Sequence, residues 1–439
     1  MVCAGKKRRK GNFWALISCS LTFATAKVKL ISTTSFLLLL WRVVSAGCGG
    51  GGGDDDDEIL RSMTMPTPPA ARQLEAFLSA SRTRSFLLAC LLAFLVKIFF
   101  FSPISPEPLG FPPLGSEFIN FPSNNVLQFV SQRIVKVGEG YVEGPEDICV
   151  DKEGTIYTAT RDGWVKKLHR NGSWENWKFI GGHSLLGVAT SSTGHILLCD
   201  ADKGLLRVGE DGVAILASHV NGSKIRFVDD VIESSDGTVY FSDASTKFGF
   251  DVWHLDLLEA KPHGRLLKYD PSTKETTIVL DNLRFANGVA LSKDQDFLVV
   301  CETWKFRCLK HWLKGEMKGK TEIFVDKLPG GPDNINLAPD GSFWIAVLEL
   351  RNNPVLELIN KSKLAKRFVA NFPKLKSNII ASIMRKATVM NVGIDGNVIK
   401  MLDDSSGEVM SFVTSAMEFE KQLYVGSLSS NFIGKLKLI

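Results

Sequence analysis

A fifteen-residue pattern that returns six times between Glu146 and Ser427 constrains this chain more than any other feature. It reads EDICVDKEGTIYTAT from Glu146, LGVATSSTGHILLCD from Leu186 and DDVIESSDGTVYFSD from Asp229. It continues as NGVALSKDQDFLVVC from Asn287 and DNINLAPDGSFWIAV from Asp333, with a degenerate copy, VTSAMEFEKQLYVGS, from Val413. Each copy is a short apolar strand, a turn, and a second strand rich in aromatic and β-branched residues. In the five clear copies the leading residue lies seven positions before the residue that precedes the turn glycine, or Gln295 in its place. Six units of about 50 residues match the four-stranded blades of propellers. A β-sandwich gives no reason for one register to hold across five copies. We therefore expect an all-β chain, a six-bladed β-propeller over residues 126–439, with a strand near Val126–Val137 closing the ring against the last blade.

The region before the repeat has a different character. Gly49–Gly53 runs directly into Asp54–Asp57, a flexible and then self-repelling tract, and the apolar stretch Ser35–Trp41 is too short to span a bilayer. Residues 1–84 read as a disordered cytosolic region. Residues 1–62 or 1–64 read as an upstream extension, with translation starting at Met63 or Met65. The sequence FLLACLLAFLVKIFFF, Phe86–Phe101, carries one charge, Lys97, and Ser102–Pro103 follows. It predicts a transmembrane signal anchor over residues 85–102. Arg72, Arg82 and Arg84 on its N-terminal side put the N-terminus in the cytosol and the propeller in a lumen or outside the cell. A cleaved signal peptide is the alternative, but Phe99–Phe101 lacks the small residues of a cleavage site. Residues 103–125 are Pro-rich and read as a stiff linker. The sequons at Asn171, Asn221 and Asn360 agree with a glycosylated body in the secretory pathway: endoplasmic reticulum, vacuole or plasma membrane.

Hydrophobic content of 45% and charged content of 23% suit a globular chain with a large core. The net charge of +5 owes much to the Lys6–Lys10 cluster, so nothing points to a nucleic-acid partner. The eight cysteines include no CxxC pair, which argues against structural zinc. Cys301 and Cys308, seven apart, fall on opposite faces of a regular strand, and pair only if the segment bends; otherwise they are buried thiols.

The leading positions carry the chemistry. They are Glu146, Leu186, Asp229, Asn287 and Asp333, and Asp147, Asp230 and Asn334 follow three of them. On innermost strands these residues converge on the axis, so ligands scattered along the sequence meet in one ring. Carboxylates and amides together are the oxygen donors that calcium takes, six to eight at a time. Asp, Asn and Glu at strand starts also make turns, which is the competing reading for each residue alone.

The segments EGPEDICVDKEG (Glu143–Gly154), VDDVIESSDGTVYFSDAST (Val228–Thr246), FANGVALS (Phe285–Ser292) and GGPDNINLAPDGSFW (Gly330–Trp344) resemble plant strictosidine-synthase-like proteins. They are similar also to animal adipocyte plasma-membrane-associated protein, and the wider superfamily includes the calcium-dependent paraoxonases. That resemblance implies a catalytic calcium on Glu146, Asp229, Asn287, Asp333 and Asn334 and a structural calcium on Asp147 and Asp230. It departs from the family at Asp229, where Asn is general. It departs again where the paraoxonase histidine dyad falls on Leu186 and Lys203. The acid/base glutamate of true strictosidine synthases falls on Glu418, in MEFEKQLYVG. His183, in GGHSLLG, is a further catalytic candidate near Leu186. Phe248–Leu258 reads as an insertion covering the channel mouth. The Trp304–Trp312 stretch reads as outer strand plus covering loop.

These readings predict a calcium-dependent hydrolase of ester or lactone small molecules, binding up to two ions. An alkaloid-type Pictet–Spengler enzyme using Glu418 and a non-enzymatic membrane-tethered propeller remain as alternatives, because propellers host all three.

Overall fold

The computed structural model describes residues 69–119, 126–128 and 134–438, apart from 349, 351–353, 373, 376, 378–379, 382–386 and 405–406. Residues 1–68, with the extension, the glycine and aspartate tracts and three of the cysteines, lie outside the described residues.

From Ile148 onward the chain alternates strands and turns as the repeat requires, and it forms a six-bladed β-propeller. Blade one is Ile148–Val150, Ile156–Ala159, Trp164–Leu168 and Trp174–Phe179, paired antiparallel in that order. Blades two, three and four start on the inner strands Leu185–Thr190, Val228–Glu233 and Ala286–Leu291. Blade five starts on Gly331–Leu337 and blade six on Val413–Phe419. Each inner strand packs against the next, and the sixth packs against the first, so the six form a closed ring. The inner strands are buried along most of their length on both faces, which explains their continuous apolar runs.

The segment expected to close the ring divides its work. Val135–Val137 adds antiparallel to Ile433–Lys437 and completes blade six, joining the start of the propeller to its end. Val126–Gln128 instead runs parallel to Val398–Asp404 as a fifth strand of blade five. The degenerate sixth repeat also has a local cause. Glu420 and Lys421 both adopt left-handed φ, 49° and 59°, in a two-residue hairpin turn, where the clear copies use a longer turn around glycine or, in blade four, Gln295.

Cys301 and Cys308 form a disulfide, which corrects the reading of a single regular strand. Phe297–Glu302 ends in a 3-10 turn, Thr303–Lys305, where Phe306 takes φ 55° and the chain reverses into Arg307–Trp312. The two cysteines thereby become direct cross-strand partners.

Helix α1, Pro69–Phe100, is longer than the segment read from the sequence. Within it Thr83–Phe100 is long and apolar enough to cross a membrane, by length and composition. Eighteen residues rise about 27 Å, close to the thickness of bilayer hydrocarbon. Among the shorter helices, three lie in insertions at the end of the propeller where the inner strands begin. Helix α2, Trp253–Glu259, belongs to blade three, and α3, Pro354–Lys361, and α4, Lys363–Asn371, are inserted in blade five.

Candidate metal centre at the channel mouth

All five leading residues, Glu146, Leu186, Asp229, Asn287 and Asp333, line one small cavity of about 40 Å³. A recurring irregularity puts Leu186, Asp229, Asn287 and Asp333 there, and Glu146 lies just before the first paired residues of its strand. In blades two to six the pairing of the inner strand slips at the leading position: between Leu185 and Val188, Val228 and Val231, Ala286 and Val289, Pro332 and Ile335, and Val413 and Ser415. Such bulges break the two-residue alternation of a strand and re-aim its side chains.

In two blades the residue after the leader turns into the seam with the next blade. Asp147 Oδ2 accepts from the backbone N–H of Val188 at 3.0 Å, and Asp230 Oδ2 accepts from that of Val289 at 2.7 Å. Ser415 Oγ donates to Asp147 Oδ1, and the N–H of Val231 donates to Asp230 Oδ1. All four oxygens of these two carboxylates are therefore engaged, and they act as clips between blades. Glycine fills the same position in blades two and four. A Cβ on Gly187 would stand 2.6 Å from the Asp229 carbonyl oxygen, and one on Gly288 would stand 2.5 Å from the Ile335 nitrogen.

The ring of leaders is short of hydrogen-bond donors. Asn334 Nδ2 donates to Glu146 Oε1 at 2.7 Å, and Asn287 hydrogen-bonds Asp333. Glu146 Oε2, Asn287 Oδ1 and Asn334 Oδ1 are buried acceptors with no hydrogen-bond partner. Burial first, then Asp147, Asp333 and the Asp229–Asp230 pair, push the Glu146 carboxyl well above its usual range. Burial and the Asp333 carboxylate do the same to Asp229, and burial lifts Asp333 to about 8. Buried oxygens lacking donors, beside mutually repelling carboxylates, are the environment a hard cation stabilises. Among the described residues no His or Cys lines this cavity, and its oxygen donors suit calcium rather than zinc. No three His, Cys, Asp or Glu among the described residues form a metal-holding group.

The walls above the ring are aromatic. Phe227 packs against Phe250 and Phe285 with ring centroids 5.8 and 5.4 Å apart, and Phe285 lies 4.5 Å from Trp304. Trp304 stacks on Trp253 of α2, and its Nε1 donates to Asp256 of the same helix at 2.9 Å. The insertion read as a cover for the mouth thus supplies Phe250 and Trp253 to the pocket. Phe227, Phe285 and Phe412 were not singled out from the sequence. An aromatic two residues before the leader in blades three and four was the available signal. A wider cavity of about 710 Å³ shares Phe250, Trp253, Phe412 and Leu428 with the inner one and opens past Arg161 and Asp251.

The matches to known proteins fit this layout. Residues 229–316 match the model of the strictosidine synthase family, and residues 121–168 match that of the strictosidine synthase-like N-terminal region. The protein named strictosidine synthase-like 4 of Arabidopsis thaliana is 32% identical over 373 residues, covering 81% of this chain and 96% of the relative. The chain belongs to the strictosidine-synthase-like family. Adipocyte plasma membrane-associated protein of Bos taurus is 32% identical over 77% of this chain and 85% of its own length. Among solved structures, a gluconolactonase from Xanthomonas campestris aligns at a TM-score of 0.51 with 13% identity, over 77% of this chain and 96% of that one, a likeness of fold.

Two catalytic candidates stand apart from the ring of this strictosidine-synthase-like propeller. Glu418 accepts from Trp344 Nε1 at 2.8 Å and lines neither cavity. It lies near the far end of the strand Val413–Phe419, whose first residue follows the pocket-lining Phe412. At about 3.3 Å per residue that places it roughly 16 Å along the strand. His183 is half-exposed on the rim, where Nε2 meets Asp251 Oδ1 at 2.8 Å. Lys203, where the resemblance puts a supporting histidine, is bound to Asp200 at 2.7 Å. Of the three sequons, Asn171 and Asn221 are exposed in turns, whereas Asn360 is fully buried on α3 and has no room for a glycan.

Proposed function

We propose that this family member is a calcium-dependent hydrolase of small ester or lactone substrates. The observation that carries the reading is a trio of buried oxygens without donors: Glu146 Oε2 and Asn287 Oδ1, whose residues line an aromatic-walled pocket, and Asn334 Oδ1, whose amide is bonded to Glu146. Glu146, Asp229, Asn287, Asp333 and Asn334 are the residues that would hold the ion. A bound calcium supplies Lewis-acid polarisation of a carbonyl oxygen. The rest is the work of the chain. Phe227, Phe285, Trp253 and Trp304 bind the apolar part of the substrate and exclude water. With leucine at position 186, the proton released by the attacking water would pass to a carboxylate, and Asp229, which lines the cavity, would take it. Asp147 and Asp230 hold the blades in register with one hydrogen bond on each oxygen, and the lone pairs left on those oxygens could serve the second ion that the resemblance implies.

Amine–aldehyde condensation finds less support, because Glu418 lies outside the pocket. The secretory reading has independent support in the Cys301–Cys308 disulfide, which belongs in an oxidising compartment. With α1 as an uncleaved anchor, the propeller would be lumenal or extracellular.

The test is a panel of aryl esters and lactones assayed in calcium and in chelator. Activity is expected only with calcium. Glu146→Gln should abolish it, and Asp229→Asn, which keeps an oxygen ligand but removes the base, should lower kcat by about 100-fold or more. Glu418→Ala should leave it intact. Activity that survives chelation and disappears in Glu418→Ala would overturn the proposal.

A further inference from the structure

Helices α3 and α4 each bury one face against the propeller and leave a second apolar face outside. Leu356 and Asn360 of α3 and Lys366 and Val369 of α4 point inward. Outward stand Val355 and Leu358 of α3, Leu364 and Phe368 of α4, and Leu375 just beyond, with 60, 72, 51, 37 and 39% exposure. Apart from Phe368, which meets α1, these side chains stand well exposed, an apolar patch of the kind that marks a contact surface.

The patch has a neighbour and a rim that identify its partner. Phe94 of α1 lies 6.1 Å from Phe368 and 5.9 Å from Phe372, ring to ring, and Arg367 stands 5.9 Å over Phe99. The outward face of α4 is thus continuous with the apolar surface of the candidate membrane span. The rim is basic. Lys361, Lys363, Arg367 and Lys374 accompany one acid, Glu357, which is itself paired with Lys361 at 2.7 Å. Apolar side chains flanked by Lys and Arg are what an interfacial helix presents to anionic lipid.

From these contacts we infer that α3 and α4 lie in the surface of the bilayer that α1 crosses, as a second membrane contact of the propeller. The inference rests on reading α1 as a membrane anchor. Depth agrees with it. Phe94 precedes the end of α1 by six residues, about 9 Å along the helix axis, within the depth to which interfacial helices sink. The contact also has a bearing on the pocket. Val369 of α4 packs with Phe248 and Leu258 around α2, and Ile380 beyond α4 lines the outer cavity. The funnel therefore opens beside the membrane surface, where lipid-partitioned substrates concentrate.

The test is photo-crosslinking of the full chain in phosphatidylcholine–phosphatidylserine vesicles. Benzoylphenylalanine is placed singly at Leu358, at Leu364, at Leu92 within α1, and at Ile394 in a turn at the opposite end of blade five. Lipid adducts are expected at Leu358, Leu364 and Leu92, and not at Ile394. Adducts at Leu92 with none at Leu358 and Leu364 would overturn the inference while the anchor stands. Adducts at Leu358 and Leu364 without Leu92 would uphold the surface contact and remove the anchor. Their absence at all three positions would remove both.

Discussion

Asp230 of blade three accepts the backbone N–H of Val289 in blade four at 2.7 Å, and this bond is made across a seam between blades, not within a sheet. Both groups are buried, so neither has water as a substitute. Asp230→Ala should leave the Val289 N–H unpaired and cost about 1–3 kcal/mol. Asp230→Asn keeps an acceptor oxygen and removes one negative charge from a crowded group of carboxylates. In calcium-free buffer it should be the more stable of the two variants. Urea unfolding curves of the variants measure the difference.

Close approach of inner strands makes a second prediction. Gly288 faces the backbone of blade five, with the Ile335 nitrogen and the Asp333 carbonyl oxygen 2.5 and 2.6 Å from where a Cβ would sit. Neither is the movable end of a side chain. Gly288→Ala should destabilise by about 1–3 kcal/mol through overpacking. A glycine with open space around it, Gly194, has a left-handed φ of 81° and tests backbone strain alone when changed to alanine. Thermal melts of the two variants separate packing from conformational cost.

Calcium should raise the melting temperature of the wild-type protein. At a free concentration of 100 times Kd the stabilisation would be about 2.7 kcal/mol. Asn287→Ala removes one of the three donor-less oxygens and should shrink the shift at a fixed calcium concentration. Calorimetric titration gives the affinity directly. An unchanged titration in Asn287→Ala would remove that amide from the site.

Helix α2 carries a pH-sensitive group. Asp256 accepts from Ser245 Oγ at 2.6 Å and from Trp304 Nε1, and burial pushes its carboxyl up to about 6. Nearby Glu259 also raises it, whereas His263 acts in the opposite direction. In the unfolded chain an aspartate titrates near 4. The folded state therefore holds the proton more tightly between about pH 4 and 6, and stability falls as pH rises through that window, by on the order of 1–3 kcal/mol. Hydrogen exchange of the α2 amides should be slower at pH 5 than at pH 7, after correction for intrinsic rates. Asp256→Asn should flatten the dependence.

The propeller and its axial residues were legible because they rest on a repeat. A register that holds from Glu146 to Asp333 fixes which residues share a level in the ring, and all five leaders do line one cavity. What the sequence concealed depends on local backbone geometry. The bulge that turns Asp230 into its seam, and the unpaired residue before Ile148 that lets Asp147 do the same, leave no compositional mark, so the clips were hidden behind their value as ligands. The reversal at Phe306 lies inside a segment, Trp304–Trp312, with no glycine or proline to announce it. That is why Cys301 and Cys308 read as one strand. Glu418 looked catalytic by motif, but its position depends on how far along an inner strand it falls, and the two-residue turn after it sets it at the far end. Val126–Gln128 joins blade five rather than blade six, a parallel pairing that no short pattern encodes.

The pairing of Val135–Val137 with Ile433–Lys437 sets an order of assembly. The first of these strands leaves the ribosome early, and its partner arrives about 300 residues later. Until then five blades stand in an open arc, with an unpaired strand at one end and a carboxylate-lined gap at its centre. Long-range pairing of this kind slows folding and exposes edges to neighbours. The newly made chain thus carries that open edge for as long as synthesis lasts, and any premature stop before Ile433 leaves a product that cannot shut.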